Sequence, residues 1–156
     1  MPATATIACV RELLRGNDLR GAVILLNSLV PHRFTSVFRF DGDTLHNVVF
    51  FDRENPAQER VESIPVAASY CVFVRDGRDR FVVPDSQADA RVDGHPKQPV
   101  FRSYCGVPLI DAGGRMYGTV CHFDFEPHPD DAKAVELLDA VAPYLPPVAG
   151  RASAPA

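Results

Sequence analysis

RSYCGVPLIDAGGRMYGTVCHFD, residues 102–124, decides the fold. Two apolar runs, Ser103 to Ile110 and Met116 to Phe123, flank the turn signal Asp111-Ala-Gly-Gly114. Val, Leu, Ile, Tyr, Thr and Phe fit a pleated sheet, and Gly113 and Gly114 accept the positive φ of a tight turn, so the segment reads as a β-hairpin. It carries Cys105 and Cys121, and the loop length sets their relation. A three-residue loop, Ala112 to Gly114, pairs Asp111 with Arg115 and sets Cys105 opposite Cys121; a four-residue loop puts them on a diagonal. A slip of one residue would carry a side chain to the other face of the sheet.

Upstream, Ile7, Val10, Leu13 and Leu14 recur at helical spacing, and Gly16 ends that helix. Asn17 or Asp18 can cap a second helix, Leu19 to Leu29, whose broad apolar face needs cover and leaves surface for dimerisation. Pro31 stops it. Arg33 to Phe40 and Thr44 to Phe51, joined at Asp41-Gly42, make a second hairpin. Asp52 to Ser63 is a polar loop. Val66 to Arg75 fits either a strand or a buried helix, and the strand-like Arg80 to Val83 just beyond Asp76-Gly77 favours a short helix with Cys71 inward. Pro84-Asp85-Ser86 ends that strand, Asp85 or Ser86 caps a turn over Gln87 to Arg91, and Val92 to Pro99 is a loop. Downstream of the central hairpin, Glu126-Pro-His-Pro129 breaks the sheet. Asp130 or Asp131 starts a last amphipathic helix reaching about Tyr144, and Pro143, Pro146 and Pro147 end it. Hairpins joined by irregular crossovers, with helices at both ends, predict an α+β sandwich.

With 156 residues, 46% of them hydrophobic and 23% charged, the chain is sized and composed for one globular core. A net charge of −4 and scattered basic residues argue against nucleic acid or an anionic membrane as partner. The N-terminus lacks a signal-peptide pattern and no apolar run approaches the ~20 residues of a membrane span, so the expected location is the cytoplasm. The four cysteines, Cys9, Cys71, Cys105 and Cys121, form no C-x-x-C pair, which speaks against a zinc ribbon or a thioredoxin-type motif.

Several segments together resemble the GAF domain family: Ser69-Tyr-Cys71; Phe81-Val-Val-Pro-Asp85 with Ala88-Asp-Ala-Arg91; Ser103-Tyr-Cys-Gly-Val-Pro-Leu109; and Gly114-Arg-Met-Tyr-Gly-Thr-Val-Cys-His-Phe-Asp124. The resemblance covers about Leu19 to Leu145. It implies a GAF/PAS-like α+β fold with an antiparallel sheet of five or six strands, terminal helices on one face, and short helices and loops over a pocket on the other. Residues 1–16 would form an N-terminal helix, 17–147 the domain, and 148–156 a disordered tail. The implied role is small-molecule sensing or signalling without catalysis, as a homodimer or through a partner protein, since the chain leaves no room for an output domain. No particular cofactor or effector follows, because fold alone does not give function.

The expected pocket is bordered by Tyr70, Cys71, Asp85, Tyr104, Cys105, Cys121 and Phe123, with no catalytic or metal-binding residue assigned. The bland reading of the cysteines is as small buried hydrophobes. Free methionine-R-sulfoxide reductases, stand-alone GAF proteins that use several cysteines, offer an enzymatic alternative. Their cysteines do not sit in S-Y-C-G-V-P-L or G-T-V-C-H contexts, so no catalytic residue carries over. A ligand-free docking module is a further alternative. Cys121-His122 does not match the surroundings of the bilin-binding Cys-His pair. Asp85 more simply caps the following turn, and Asp124 sits at a strand end with either role open.

Overall fold

The computed structural model describes residues 3–129 and 132–145. Helix α1 (Ala3–Arg15) buries Val10 on the predicted stripe, and α2 (Leu19–Asn27) buries Ala22, Val23 and Leu26. Of the two candidate caps, Asp18 is the one used: its carboxylate accepts the Gly21 amide at 2.8 Å, satisfying a donor the helix leaves free. Strands β1 (Phe34–Asp41) and β2 (Thr44–Asp52) form the first hairpin, with Asp41 opposite Thr44. Strands β5 (Ser103–Ile110) and β6 (Met116–Asp124) form the central one. Strand β4 (Phe81–Val83) pairs with β5, and β3 (Ile64–Pro65) pairs with β2. The order is β3-β2-β1-β6-β5-β4, antiparallel throughout, so β1 and β6 lie side by side at the centre.

The sheet separates two apolar cores. On one face Val10, Val23, Leu26, Val135 and Leu138 from α1, α2 and α4 (Ala132–Val141) pack against Val37, Val49, Val107 and Val120. On the other, Val66, Tyr70, Cys71, Val74 and Val92 pack against Phe34, Phe38, Leu45, Tyr104 and Phe123. This second layer contains α3 (Cys71–Gly77) and 3₁₀ turns at Val66–Ala68, Ser86–Ala88 and Ala90–Val92. With both faces covered, β1 is buried from Phe34 to Arg39, so even its polar residues Thr35, Ser36 and Arg39 lie inside.

Several expectations are refined. The short helix predicted over Val66–Arg75 is two pieces, a 3₁₀ turn and α3, separated by extended Ser69. Asp76-Gly77 is not a free turn, because α3 runs through Gly77 and ends on Arg78 in the left-handed region at φ 52°. The turn over Gln87–Arg91 becomes two, capped by Asp85 and Asp89. Strand β3 (Ile64–Pro65) falls between the Asp52–Ser63 loop and the Val66–Arg75 segment, where the sequence reading assigns no element. The last helix closes in a 3₁₀ turn at Ala142–Tyr144; its start at Asp130 or Asp131, Pro146 and Pro147, and the tail 148–156 lie outside the described residues.

The central hairpin carries the correction with the largest consequence. Its loop is the three-residue one: the Asp111 amide donates to the Arg115 carbonyl at 2.9 Å, and Gly114 adopts φ 80°. Yet Ile110 pairs with Met116 while Leu109 pairs with Gly118, so Tyr117 is an extra residue in a β-bulge. The bulge shifts everything beyond it by one. Cys105 therefore opposes His122, and Cys121 opposes Gly106. Residues paired across a strand share a face, so the two cysteines lie on opposite faces of the sheet. Among the described residues, no helix is long and apolar enough to cross a membrane.

Candidate functional site

Between the sheet and the α3 layer lies a cavity of about 650 Å³. Strand alternation sends Phe34 and Phe38 of β1, Phe50 of β2, Tyr104 of β5, and Cys121 and Phe123 of β6 to this face. Ser69, Tyr70 and Cys71 enter from above, Phe101 and Phe125 flank one side, and Gln58, Arg60, Val61, Glu62 and Ile64 come from the β2–β3 connection. The aromatic wall is mutually braced. Phe34 stacks on Phe123 and Phe50, with centroids 5.0 and 5.5 Å apart, and meets Phe101 and Phe125 edge-on. Offset-stacked and edge-to-face pairs of this kind suit the ring quadrupole.

The wall ends in an ion pair. Arg33 binds Asp52 through two bonds of 2.8 and 3.0 Å while its guanidinium lies over Phe34 and Phe125 at 5.0 and 5.4 Å. The hydrogen bond from Arg33 holds the Asp52 carboxyl below the usual range despite burial.

At the inner end are the thiols. The Cys71 sulfur sits 3.2 Å from Thr119 Oγ1 and 3.4 Å from Tyr104 Oη, and the neighbouring Cys121 sulfur donates to the Ser36 carbonyl at 3.8 Å. Gly106 makes this possible: a Cβ there would collide with the Tyr104 hydroxyl, so its absence lets the ring lie along β5 and reach Cys71. Burial opposes ionisation of both sulfurs. Hydrogen bonds from Cys121, Ser69, Thr119 and Tyr104 outweigh it at Cys71, whereas burial and the neighbouring Cys71 push Cys121 well up. Cys71 is the sulfur that would carry the charge and Cys121 the one that keeps the proton. Burial likewise drives the Tyr104 hydroxyl well above its ordinary value.

Tyr70 is held by its hydroxyl, which donates to the Phe101 carbonyl at 3.0 Å, and by its ring, 4.9 Å from His95. His95 accepts the Lys97 amide at Nδ1, which leaves Nε2–H to donate to the Ser69 carbonyl, an arrangement of the neutral ring. Burial lowers its pKa in agreement.

Of the residues expected around the pocket, Tyr70, Cys71, Tyr104, Cys121 and Phe123 line the cavity. Cys105 does not: the bulge turns it into the helix-side core beside Val107 and Leu109. Asp85 also lies outside. It caps the Ser86 turn through the Gln87 amide and holds Arg102 by two bonds of 2.9 and 3.0 Å. Asp124 is a structural acceptor, taking the Arg33 amide at 3.0 Å and His128 Nε2 at 2.7 Å. Arg33, Asp52, Arg60, Lys97 and, apart from Phe123, the phenylalanine wall were missed. Phe34 and Phe38 had a signal, since their even spacing sets them on one face of β1; Phe50 did not, because the turn at Asp41–Thr44 alone would pair it with Thr35, and only a bulge at Val48 brings it opposite Ser36. Among the described residues, no group of three or more His, Cys, Asp or Glu side chains is placed to hold a metal ion.

The thiols divide by burial. Cys9 is exposed, while Cys71, Cys105 and Cys121 are buried. A disulfide-reagent titration of the folded protein should therefore count one fast thiol, and the other three should react only in denaturant. A second fast thiol, lost in a Cys71→Ser variant, would mean that the cavity floor opens to solvent.

The fold recurs in solved structures. The GAF domain of an Acinetobacter phosphoenolpyruvate-protein phosphotransferase superposes with a TM-score of 0.77 at 14% identity, covering 98% of this chain and 95% of that one. The free methionine-R-sulfoxide reductase of Neisseria meningitidis, solved with its substrate, gives 0.71 at 17% identity over 90% and 83%. The nlh2 GAF domain of A. aeolicus in an inactive state gives 0.67 at 12% over 97% of each chain. At these identities the likeness speaks for the fold alone. A comparison with curated proteins finds no match. The GAF domain family model matches residues 7–145, the span from α1 to the end of the α4 layer, and the chain belongs to that family.

Proposed function

We propose that this GAF domain is a small-molecule sensor whose effector occupies the cavity between the sheet and α3, and that it acts without catalysing a reaction on that effector. The observation that carries the proposal is the cavity itself. Its volume of about 650 Å³ lies within the roughly 300–1,000 Å³ of small-molecule sites, and its wall is apolar with a few polar groups at each end. Phosphotransferase GAF domains and methionine sulfoxide reductases share this fold, so the fold leaves both roles open. Burial weighs against the reductase. Cys71 and Cys121 are each 0% exposed, and a thiol that attacks a sulfoxide has to meet it.

Signalling from such a module passes to a second copy or to a partner protein. Ile24 and Leu29, both partly exposed in the α2 region, are two of the exposed apolar residues that could make that contact. Native mass spectrometry of the purified protein, paired with an absorption spectrum, tests the proposal. The expected result is a mass increment for a bound molecule that denaturation releases, or one acquired from a metabolite mixture. Failure to retain or capture any small molecule would remove the sensing role, and turnover of free methionine sulfoxide that is lost in Cys71→Ser would replace it with the reductase.

A further inference from the structure

We infer that the effector class is an aromatic anion: a planar ring seated against the phenylalanine wall, with a carboxylate or similar group held at the mouth by Arg60 and Lys97. The inference rests on the sensing role proposed above and names the chemistry of that same site.

Charge at the mouth is the first argument. Arg33 is taken up by Asp52 through two short hydrogen bonds and contributes no free charge. Arg60 and Lys97 also line the cavity, and neither has a carboxylate partner among the described residues. Glu62 is the opposing carboxylate there, so the pair exceeds it by one positive charge in a chain whose net charge is −4. The two cations arrive from opposite sides, Arg60 on the connection leading to edge strand β3 and Lys97 on the segment following edge strand β4. Two cations brought to one cavity from separate segments, Arg60 exposed and Lys97 half-buried, suit an anion on its solvent side.

The shape and polarity of the wall are the second argument. Phe34, Phe50, Phe101, Phe123 and Phe125 present faces and edges with no hydrogen-bonding group. A flat ring gains stacking and edge contacts there that a saturated ring of similar size does not. The polar groups at the inner end, Cys71 and the Tyr104 hydroxyl, already bond one another. No cation lines that end, and any charge on Cys71 is negative, which places the anion outward.

Isothermal titration calorimetry with four probes tests this: 3-phenylpropionate, its neutral amide, 3-cyclohexylpropionate, and 3-phenylpropylamine. The expected order has phenylpropionate tightest, the amide and the cyclohexyl acid each weaker by about five- to tenfold, and no binding of the amine. Replacing both rim residues, Arg60→Gln with Lys97→Gln, should lower the acid to the affinity of the amide while leaving the amide unchanged. Equal binding of acid and amide, equal binding of the two ring types, or an undiminished preference for the acid in the double variant would each overturn the inference. If no probe binds and native mass spectrometry finds a molecule of different chemistry in the cavity, the aromatic-anion inference falls and the sensing role stands. If the protein retains and captures nothing at all, both fall.

Discussion

Gly118→Ala should destabilise the domain by at least about 3 kcal/mol, and in the limit leave no folded protein to purify. Gly118 lies on β6 between Arg39 of β1 and Leu109 of β5, beside the Tyr117 bulge. A Cβ at that position would overlap the carbonyl oxygen of Phe38, with the Phe38 carbonyl carbon at 3.1 Å and the Arg39 Cα at 3.3 Å. All three are main-chain atoms of the central strand, so no rotamer change relieves the clash. Relief requires the β1–β6 pairing to part, and that pairing joins the two hairpins. The control is Gly77→Ala near the end of α3, where the added carbon meets nothing within 4 Å. That change should be neutral or stabilising by a few tenths of a kcal/mol. Urea unfolding of both variants reads the difference, and a Gly118→Ala protein within 1 kcal/mol of the parent would contradict the close approach.

The second large effect is acid sensitivity centred on His122. This side chain is fully buried on the helix face, with Nδ1 2.7 Å from Thr35 Oγ1. The Thr35 hydroxyl accepts from Asn27 Nδ2 at 2.8 Å, which leaves its own proton for Nδ1 and suits a neutral imidazole. Burial, with His32 and Arg53 nearby, lowers its pKa from 6.5 to about 3. The folded value lies below the unfolded one, so the contribution is complete above pH 6.5 and is lost as pH falls toward 3. Between those limits the unfolded chain binds a proton that the folded chain refuses. By pH 4 the loss is on the order of 3 kcal/mol. His95, lowered by burial, adds in the same direction. Urea unfolding at pH 7, 6, 5 and 4.5 should show stability falling throughout, with the slope reduced by nearly one proton in His122→Gln. An unchanged slope in that variant would mean that another group carries the acid response.

Strand and helix identities were legible wherever local preference and burial agree. The Arg102–Asp124 hairpin, the Asp41-Gly42 turn and the stripe of Ile7, Val10, Leu13 and Leu14 all follow from periods of 2.0 or 3.6. What escaped depends on contacts distant in sequence. Strand β3 consists of Ile64 and Pro65, too short for any periodicity, and exists because β2 offers it an edge. The bulge at Tyr117 has one marker, the adjacent Gly118, since an isolated glycine in a strand suggests a bulge or a close backbone approach, but the glycine does not say which of the two it serves or on which side of it the extra residue falls. The Tyr117 hydroxyl donates to the Leu145 carbonyl at 2.9 Å, a tie to the far end of the chain. The same limit governs the site. Tyr70, Cys71 and Phe123 were placed from motif and alternation, but Cys105 depended on the register past the bulge. Arg60 and Lys97 sit in polar loops where composition gives no hint of a shared opening.

The strand order also dictates when the sheet can close. Strand β1 pairs on one side with β2, its immediate successor, and on the other with β6, so that Phe34 waits for Phe123. During synthesis the first hairpin emerges early with one edge of β1 unpaired and both of its apolar faces uncovered. Helix α2 is already available to one face, whereas α3 and the aromatic side chains that roof the other come later. From the completion of β2 at Asp52 until β6 is made, the chain therefore carries a sticky, one-sided sheet whose missing neighbour is the last of its strands. Such long-range closure slows folding and exposes the edge to foreign strands. Arg39 and the charged end of the hairpin at Asp41 and Asp43 are what guard it until β6 arrives.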